Sequence, residues 1–242
     1  MLFQHRGYFI RLRALRVAKE IPTNLISSVT ANDLSLTSKD LFNKNLALNN
    51  LESDSRIKYV LGDANKVMIT QEYPNKFDII DLDPYGSAVP FLYSSLNGIN
   101  DKGLLCITCT DTRVLCGSDR HKCYYLYGSV RTGNNTIEET ALRIMLYTIS
   151  RTAAQLGRII KPLLSFQSEF YIRIFLQVVD NRKGCWTIMN SHGIELVQED
   201  GLTEYHRFGQ NVKDKNTPSV QRLPSISQDT PLSYFIRWSS LA

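Results

Sequence analysis

The sequence predicts an α/β fold: a mostly parallel sheet, covered by helices on both faces, that ends in an antiparallel hairpin. Three observations carry this expectation. Strand-like apolar runs alternate with helix-period segments from Arg11 to Leu156, which is the rhythm of parallel strand-helix-strand units. Three of the strands end in acids, at Asp33, Asp63 and Asp83. Two strand-like runs, Leu163 to Phe166 and Phe170 to Val179, then follow with almost no gap. They must pair antiparallel, because a parallel pair needs a crossover of about a dozen residues or more.

The elements justify themselves in order. Arg11 to Glu20 has helical spacing, with Leu12, Leu15, Val17 and Ala18 toward one side, and Pro22 stops it. Ser28 to Asp33 is a short strand. Ser38 to Asn49 is a helix whose apolar face is Leu41, Phe42, Leu46 and Leu48. Ile57 to Leu61 is a strand closed by Gly62-Asp63, and Phe77 to Leu82 is a strand closed by Asp83-Pro84. Val89 to Ile99 reads as a helix, Leu104 to Cys109 as a buried strand, Thr110 to about Asn135 as a long loop, and Ile137 to Leu156 as the longest helix. After Val179 the pattern fades. Residues 180–242 read as a degenerate or partly disordered tail, with Gln210 to Pro231 polar enough for disorder.

Composition narrows the class. At 242 residues, 43% apolar and 21% charged, the chain has the makeup of a globular domain that needs no disulfide or metal for its core. Five cysteines, an odd number in a chain this long, argue for a reducing compartment. No run of about 18 apolar residues suggests a membrane span. The opening Met1 to Gly7 lacks the apolar stretch of a secretory signal. Arg6, Arg11, Arg13 and Arg16 precede the first acid, Glu20, a feature compatible with a transit peptide. The net charge of +5 suits an anionic partner without requiring one.

In open parallel sheets, ligands lie beyond the carboxyl ends of the strands. Asp33, after the second strand, is placed to accept from a ribose diol. Asp63, followed by Ala64, is placed to accept from an adenine amino group. Both could instead be simple turn formers or helix caps. Asp83-Pro84-Tyr85-Gly86 is sharper. The amino group of a nucleobase is a poor nucleophile, because its lone pair is delocalised into the ring. Methylating it needs an acceptor for its hydrogens and a fixed approach. Asp83 supplies the acceptor, Pro84 a rigid turn, Tyr85 a ring to stack on an extruded base, and Gly86 completes the loop. The alternative is an ordinary strand-to-helix turn.

A parallel sheet finished by an antiparallel hairpin is the plan of class I, Rossmann-like, S-adenosylmethionine-dependent methyltransferases. The run from Asp78 to Ser87, with Pro90-Phe91-Leu92 after it, resembles the tRNA (guanine-26-N2)-dimethyltransferases. So do Gly103 to Asp111, Tyr127-Gly128, Glu139 to Arg143, Pro162 to Ser165 and Phe170 to Phe175. The resemblance covers about Arg13 to Val179. It implies transfer of two methyl groups in turn from S-adenosyl-L-methionine to the N2 amine of guanine 26 in tRNA. It also implies that Arg13, Asp33, Asp63 and Ala64 match the cofactor site, that Asp83 is the catalytic acceptor and that Tyr85 is the aromatic beside the base. The expected domains are a methyltransferase domain over residues 11–179 and the tail over 180–242. The expected location is intracellular, the nucleus first for a eukaryote, with mitochondrion or cytoplasm as alternatives.

The sequence departs from the family pattern at its opening. His5 to Arg11 stands where a first strand and a small-residue cofactor loop belong, so both are expected to be missing or altered. Glu138 stands where the family has His, and the family's C-terminal domain is not recognisable after Gly184. Two alternatives follow: an amino-methyltransferase on another nucleic acid, and an inactive RNA-binding relic. A nicotinamide oxidoreductase is disfavoured by the lack of Gly-x-Gly-x-x-Gly. Cys106 and Cys109, three apart on a strand, face opposite sides and make a poor metal clamp. His121 with Cys116 and Cys123 lacks an evident fourth ligand, so no metal is expected. Arg113, Arg120, Lys122 and Arg131, interleaved with Tyr124, Tyr125 and Tyr127, read either as an RNA-facing loop or as a solvated loop. Arg173, among core residues, reads as structural. No obligatory protein partner is inferred.

Overall fold

The computed structural model describes residues 1–5, 12–71, 75–117, 119–130, 137–189, 192–197, 203–207 and 234–235. The chain divides into two compact units, one of Met1–Asp111 with Ile160–Asp180, the other of Thr112–Ile159 with Asn181–Ala242.

The first unit is built on a seven-stranded sheet. Its strands are β1 (Leu2–His5), β2 (Val29–Asp33), β3 (Ile57–Leu61), β4 (Phe77–Asp83), β5 (Ile99–Cys109), β6 (Arg158–Ser168, which starts just ahead of the unit's second segment) and β7 (Tyr171–Asp180). Their spatial order is β3-β2-β1-β4-β5-β7-β6. β1 runs parallel to β2 and β4, β2 parallel to β3, and β4 parallel to β5, while β7 is antiparallel to β5. Chain order reverses between β1 and β4, the switch point where such sheets open a ligand crevice.

The expectation of a missing first strand is corrected here. Leu2 pairs with Thr30 on one side and with Ile80 on the other, so β1 is an interior strand. Four residues suffice because neighbours on both sides satisfy its backbone, and Leu2 is fully buried between them. The expected site of the cofactor loop, residues 6–11, lies outside the described residues, as does Gln210 to Pro231.

Helices α1 (Leu12–Glu20), α2 (Leu36–Leu48), α3 (Ala64–Ile69) and α4 (Val89–Gly98) connect these strands. Ala14, Leu15 and Ala18 of α1 pack in one apolar cluster with Val29, Ala31 and Phe42. Small residues at this spacing let α1 lie close to β2. Leu12, expected on the apolar side, is 50% exposed, because the buried face runs through Ala14. α3, which the sequence reading omitted, is one and a half turns long and buries only Ala64 and Met68. Gly98, ending α4, is required by close approach: a Cβ there would strike the Met68 carbonyl.

The second unit holds α5 (Thr112–Leu115), α6 (Arg120–Tyr127), α7 (Ile137–Gln155) and α8 (Gly184–Met189), with a small sheet of β8 (Gly193–Val197), β9 (Thr203–Arg207) and β10 (Tyr234–Phe235) in the order β10-β8-β9. One expectation changes: the loop from Thr110 contains α5 and α6, whose few apolar positions were too short a pattern to read as helices. Among the described residues of 180–242 are α8 and the three short strands of that small sheet, in polar sequence with little periodicity. Along α7, Ala141, Met145, Ile149 and Ala153 recur every fourth residue and are all fully buried. No helix among the described residues is long and apolar enough to cross a membrane.

Candidate functional site

The site begins with two carboxylates at the carboxyl end of β4. Asp81 and Asp83 are two residues apart on a strand and therefore share a face. Left alone they would repel. Two arginines from distant chain positions prevent this. Arg13 of α1 donates to Asp81 at 2.8 Å and also bonds Asp83. Arg173 of β7 reaches Asp81 at 2.9–3.0 Å and bonds Thr108, its direct cross-strand partner on β5. The 2.9 Å approach to Asp81 Oδ1 is an ion pair without a well-directed hydrogen bond. The four charges cancel, which lets Asp81 sit 5% exposed. Beside them, burial and then the Asp81 charge push the Cys106 thiol up to about 12, so it stays protonated and inert.

The loop after β4 is latched to β5. The Gly86 amide donates to the Thr110 hydroxyl at 2.7 Å, and the Thr110 amide donates to the Gly86 carbonyl at 3.0 Å. Gly86 has φ +79°, a conformation that glycine adopts without strain. Pro84 is buried, whereas Tyr85 is 62% exposed. The latch thus holds an aromatic ring out beside Asp83. The Ser87 hydroxyl accepts the Val89 amide at 3.2 Å and starts α4.

A cavity of about 390 Å³ opens on this edge, floored by Arg13, Asp83, Thr108 and Thr110. That volume falls within the range of small-molecule and base pockets. Its far wall comes from Phe166, Phe170, Tyr171 and Arg173 of the β6–β7 hairpin. Tyr171 meets Phe166 and Phe170 edge-on at 6.2 Å and 5.6 Å, and the Arg173 guanidinium lies 5.0 Å over the Phe175 ring.

Asp33 and Asp63 stand where expected, at the carboxyl ends of adjacent parallel strands. Asp33 is 4% exposed and accepts the Ser35 amide at 2.8 Å and the Ser38 hydroxyl at 3.3 Å. Asp63 caps α3 by accepting the Asn65 amide at 2.9 Å, with Ala64 buried behind it. Asp63 is therefore a helix cap and Asp33 a turn former ahead of α2, and those bonds fix the orientation of both. Asn32 ties the two strand ends by donating to the Val60 and Gly62 carbonyls at 2.9 Å each.

The structure thus brings Arg13 and Asp83 together with Tyr85, Pro84 and Gly86, and sets Asp33 at the end of β2 and Asp63 with Ala64 at the start of α3, after β3. Sequence reasoning missed Asp81, Thr108 and Thr110 and read Arg173 as merely structural. One signal was available: an arginine and an aspartate interrupting otherwise apolar strands. Their pairing was not legible, because Asp81 and Arg173 are 92 positions apart. In the second unit, Tyr127 is buried at 2%, which removes it from any RNA-facing surface, while Tyr124 and Tyr125 are 67% and 84% exposed. Arg131 lies outside the described residues. Among the described residues no three His, Cys, Asp or Glu side chains gather as a metal site.

Comparison with known proteins adds three findings. Residues 11–213 match the model of the family described as N2,N2-dimethylguanosine tRNA methyltransferase. The chain is 46% identical over 170 residues to the tRNA (guanine(26)-N(2))-dimethyltransferase of Schizosaccharomyces pombe, covering 69% of this chain and 30% of that one. It is 41% identical over 225 residues to tRNA (guanine(26)-N(2))-dimethyltransferase 1 of Arabidopsis thaliana, covering 91% and 36%. The chain therefore spans about a third of the length of these relatives. Among solved structures, the complex of Trm1 from Pyrococcus horikoshii with S-adenosyl-L-methionine superposes with a TM-score of 0.76 at 24% identity, over 98% of this chain and 62% of that one. The two share a fold, the class I Rossmann-like one.

Proposed function

The chain belongs to the N2,N2-dimethylguanosine tRNA methyltransferase family, and from that premise we propose that it methylates the exocyclic N2 amine of guanine 26 in tRNA, twice in succession, at Asp83. The observation that carries this reading is the pairing of a fixed carboxylate with an exposed ring: Asp83 held by Arg13, and Tyr85 held out by the Gly86–Thr110 latch.

The residues present fit S-adenosyl-L-methionine. Oriented carboxylates follow β2 and β3, on the side of the switch point opposite the β5–β7 wall, and suit a ribose diol and an adenine amino group. When bound, that cofactor supplies an electrophilic methyl group on a sulfonium. Everything else falls to the chain. Asp83 accepts a hydrogen of the base amine, which orients the nitrogen lone pair and takes the proton released as the new N–C bond forms. Arg13 holds Asp83 in one position, and Asp81 with Arg173 holds Arg13. Tyr85 stacks on the extruded guanine, and the cavity beside Asp83 receives it. After the first transfer one N–H remains, so the same bond to Asp83 serves the second. In this reading the catalytic domain takes in β1 as well as residues 11–179, with tRNA as partner.

The test is mass spectrometry of nucleosides from unmodified tRNA incubated with the chain and methyl-labelled cofactor. The expected products are labelled N2-methylguanosine and then N2,N2-dimethylguanosine, both formed about 10²–10⁴-fold more slowly with Asp83→Asn. Label on another base would transfer the reading to a different amine. No label would favour an RNA-binding role without catalysis.

A further inference from the structure

Helix α6 has an outer face that the catalytic reading leaves unused. Its eight residues bury Cys123 and Tyr127, one turn apart, and turn Arg120, His121, Lys122, Tyr124 and Tyr125 outward. Tyr124 and Tyr125 are 67% and 84% exposed. Single exposed apolar residues are ordinary on a protein surface. Two adjacent tyrosines between cations on so short a helix are a patterned surface.

The helix is also rigid. Asp119 caps its start by accepting the Lys122 amide at 3.1 Å. Gly128, at φ +63°, closes its end, its amide donating to the Tyr124 carbonyl at 2.8 Å. The Thr148 hydroxyl of α7 donates to the Tyr127 carbonyl at 3.0 Å. The exposed rings therefore stand on a fixed base and lose little entropy on contact.

The charge around them is mainly positive. From Thr112 to Tyr127 the only acid is Asp119, and it is engaged as the cap. Arg113, Arg120 and Lys122 are exposed. Exposed Arg151 of α7 brings its guanidinium beside the helix end, where a Cβ on Gly128 would lie 3.6 Å from Nη1. Cations flank the tyrosines on both sides. A protein partner would need an acidic apolar surface. A nucleic acid supplies both complements in one molecule, phosphates for the cations and flat base faces for the rings.

We propose that the outer face of α6 binds RNA, with Tyr124 and Tyr125 stacking on unpaired bases of the tRNA substrate and Arg120, Lys122 and Arg151 contacting its phosphates. The proposal rests on tRNA being the substrate.

The test is equilibrium binding of an unmodified tRNA transcript by the full chain across a range of salt. Three paired variants join it: Arg120→Gln with Lys122→Gln, Tyr124→Ala with Tyr125→Ala, and Tyr124→Phe with Tyr125→Phe. Each lost phosphate contact lowers the slope of log affinity against log salt by about 0.7–0.9, so the charge variant should lower it by about 1.5. The alanine pair should weaken binding about 30-fold or more at unchanged slope, since two stacked bases are lost together. The phenylalanine pair should bind like the parent. Thermal melts and cofactor binding should be unchanged in all three. Parent-like affinity and slope in both the charge and alanine variants would overturn the surface while leaving the catalytic reading intact. Failure of the parent itself to bind tRNA would overturn the catalytic reading, and the surface with it.

Discussion

Replacing Asp81 by Asn removes the negative charge that holds two arginines together. The carboxylate is 5% exposed and ion-pairs Arg13 at 2.8 Å and Arg173 at 2.9 Å. The two arginines fare differently without it. The Arg13 side chain is 39% exposed and keeps Asp83, so water and that partner compensate it. The Arg173 side chain is 12% exposed and loses its counter-charge. Breaking a buried pair from one side costs about 3–5 kcal/mol. Asn keeps an acceptor for Arg173, which points to the low end, about 3 kcal/mol. In a chain of this size each kcal/mol moves the melting temperature by about 2–4 °C. Asp81→Asn should therefore melt about 6–12 °C below the parent. Arg173→Met alone should destabilise as well, and the double variant should recover part of the loss, because no uncompensated charge remains. Calorimetry of the three proteins checks this, with Arg16→Ala as an exposed control expected to change stability by about 0.5 kcal/mol or less. A melting point for Asp81→Asn within about 2 °C of the parent would refute the idea that Asp81 anchors the arginines.

Asp83→Asn should leave cofactor affinity near the parent value and cut methyl transfer about 10²–10⁴-fold; full activity in a single-turnover assay would remove Asp83 from the mechanism. Asp63→Ala should cost about 1 kcal/mol of stability through the lost α3 cap. It should also weaken S-adenosyl-L-methionine binding by about 1.5–3 kcal/mol, so titration calorimetry finding only the stability loss would reduce Asp63 to a cap. His192 is buried, accepts or donates at 2.9 Å to Ser150, and burial lowers its pKa to about 4. Its folded pKa lies below the unfolded value of about 6.5, so the unfolded chain takes up the proton first. The stability that neutral His192 contributes is present above about pH 6.5 and lost as pH falls toward 4. His192→Gln should flatten that part of the urea-midpoint profile, and an equal fall in parent and variant would assign it to carboxylates instead.

Much of the fold was legible because periodicity survives in long, well-buried elements. α7 repeats its apolar positions every fourth residue, and β6 and β7 are too close in sequence to pair in parallel. β1 was not legible. A four-residue interior strand has no room for a pattern, and its place depends on β2 and β4 being there to flank it. α5 and α6 were hidden for a related reason: Val114, Leu115, Cys123 and Tyr127 are too few to mark a helical stripe among exposed polar and aromatic residues. At the site, Asp83, Tyr85 and Gly86 could be read because one loop carries them. The Asp81–Arg173 pair could not, since a strand register across three neighbours brings it together. The same limit applied to the Gly86–Thr110 latch, which joins loops at the ends of two adjacent strands.

The acceptor atom itself is the sharpest point of test. A tRNA transcript with inosine in place of guanine 26 differs from the guanine substrate there only by lacking the N2 amine. With methyl-labelled cofactor, the chain should place up to two labelled methyl groups on the guanine transcript and none on the inosine transcript, while binding both with similar affinity. Equal labelling of the two transcripts would contradict methylation of the N2 amine at Asp83.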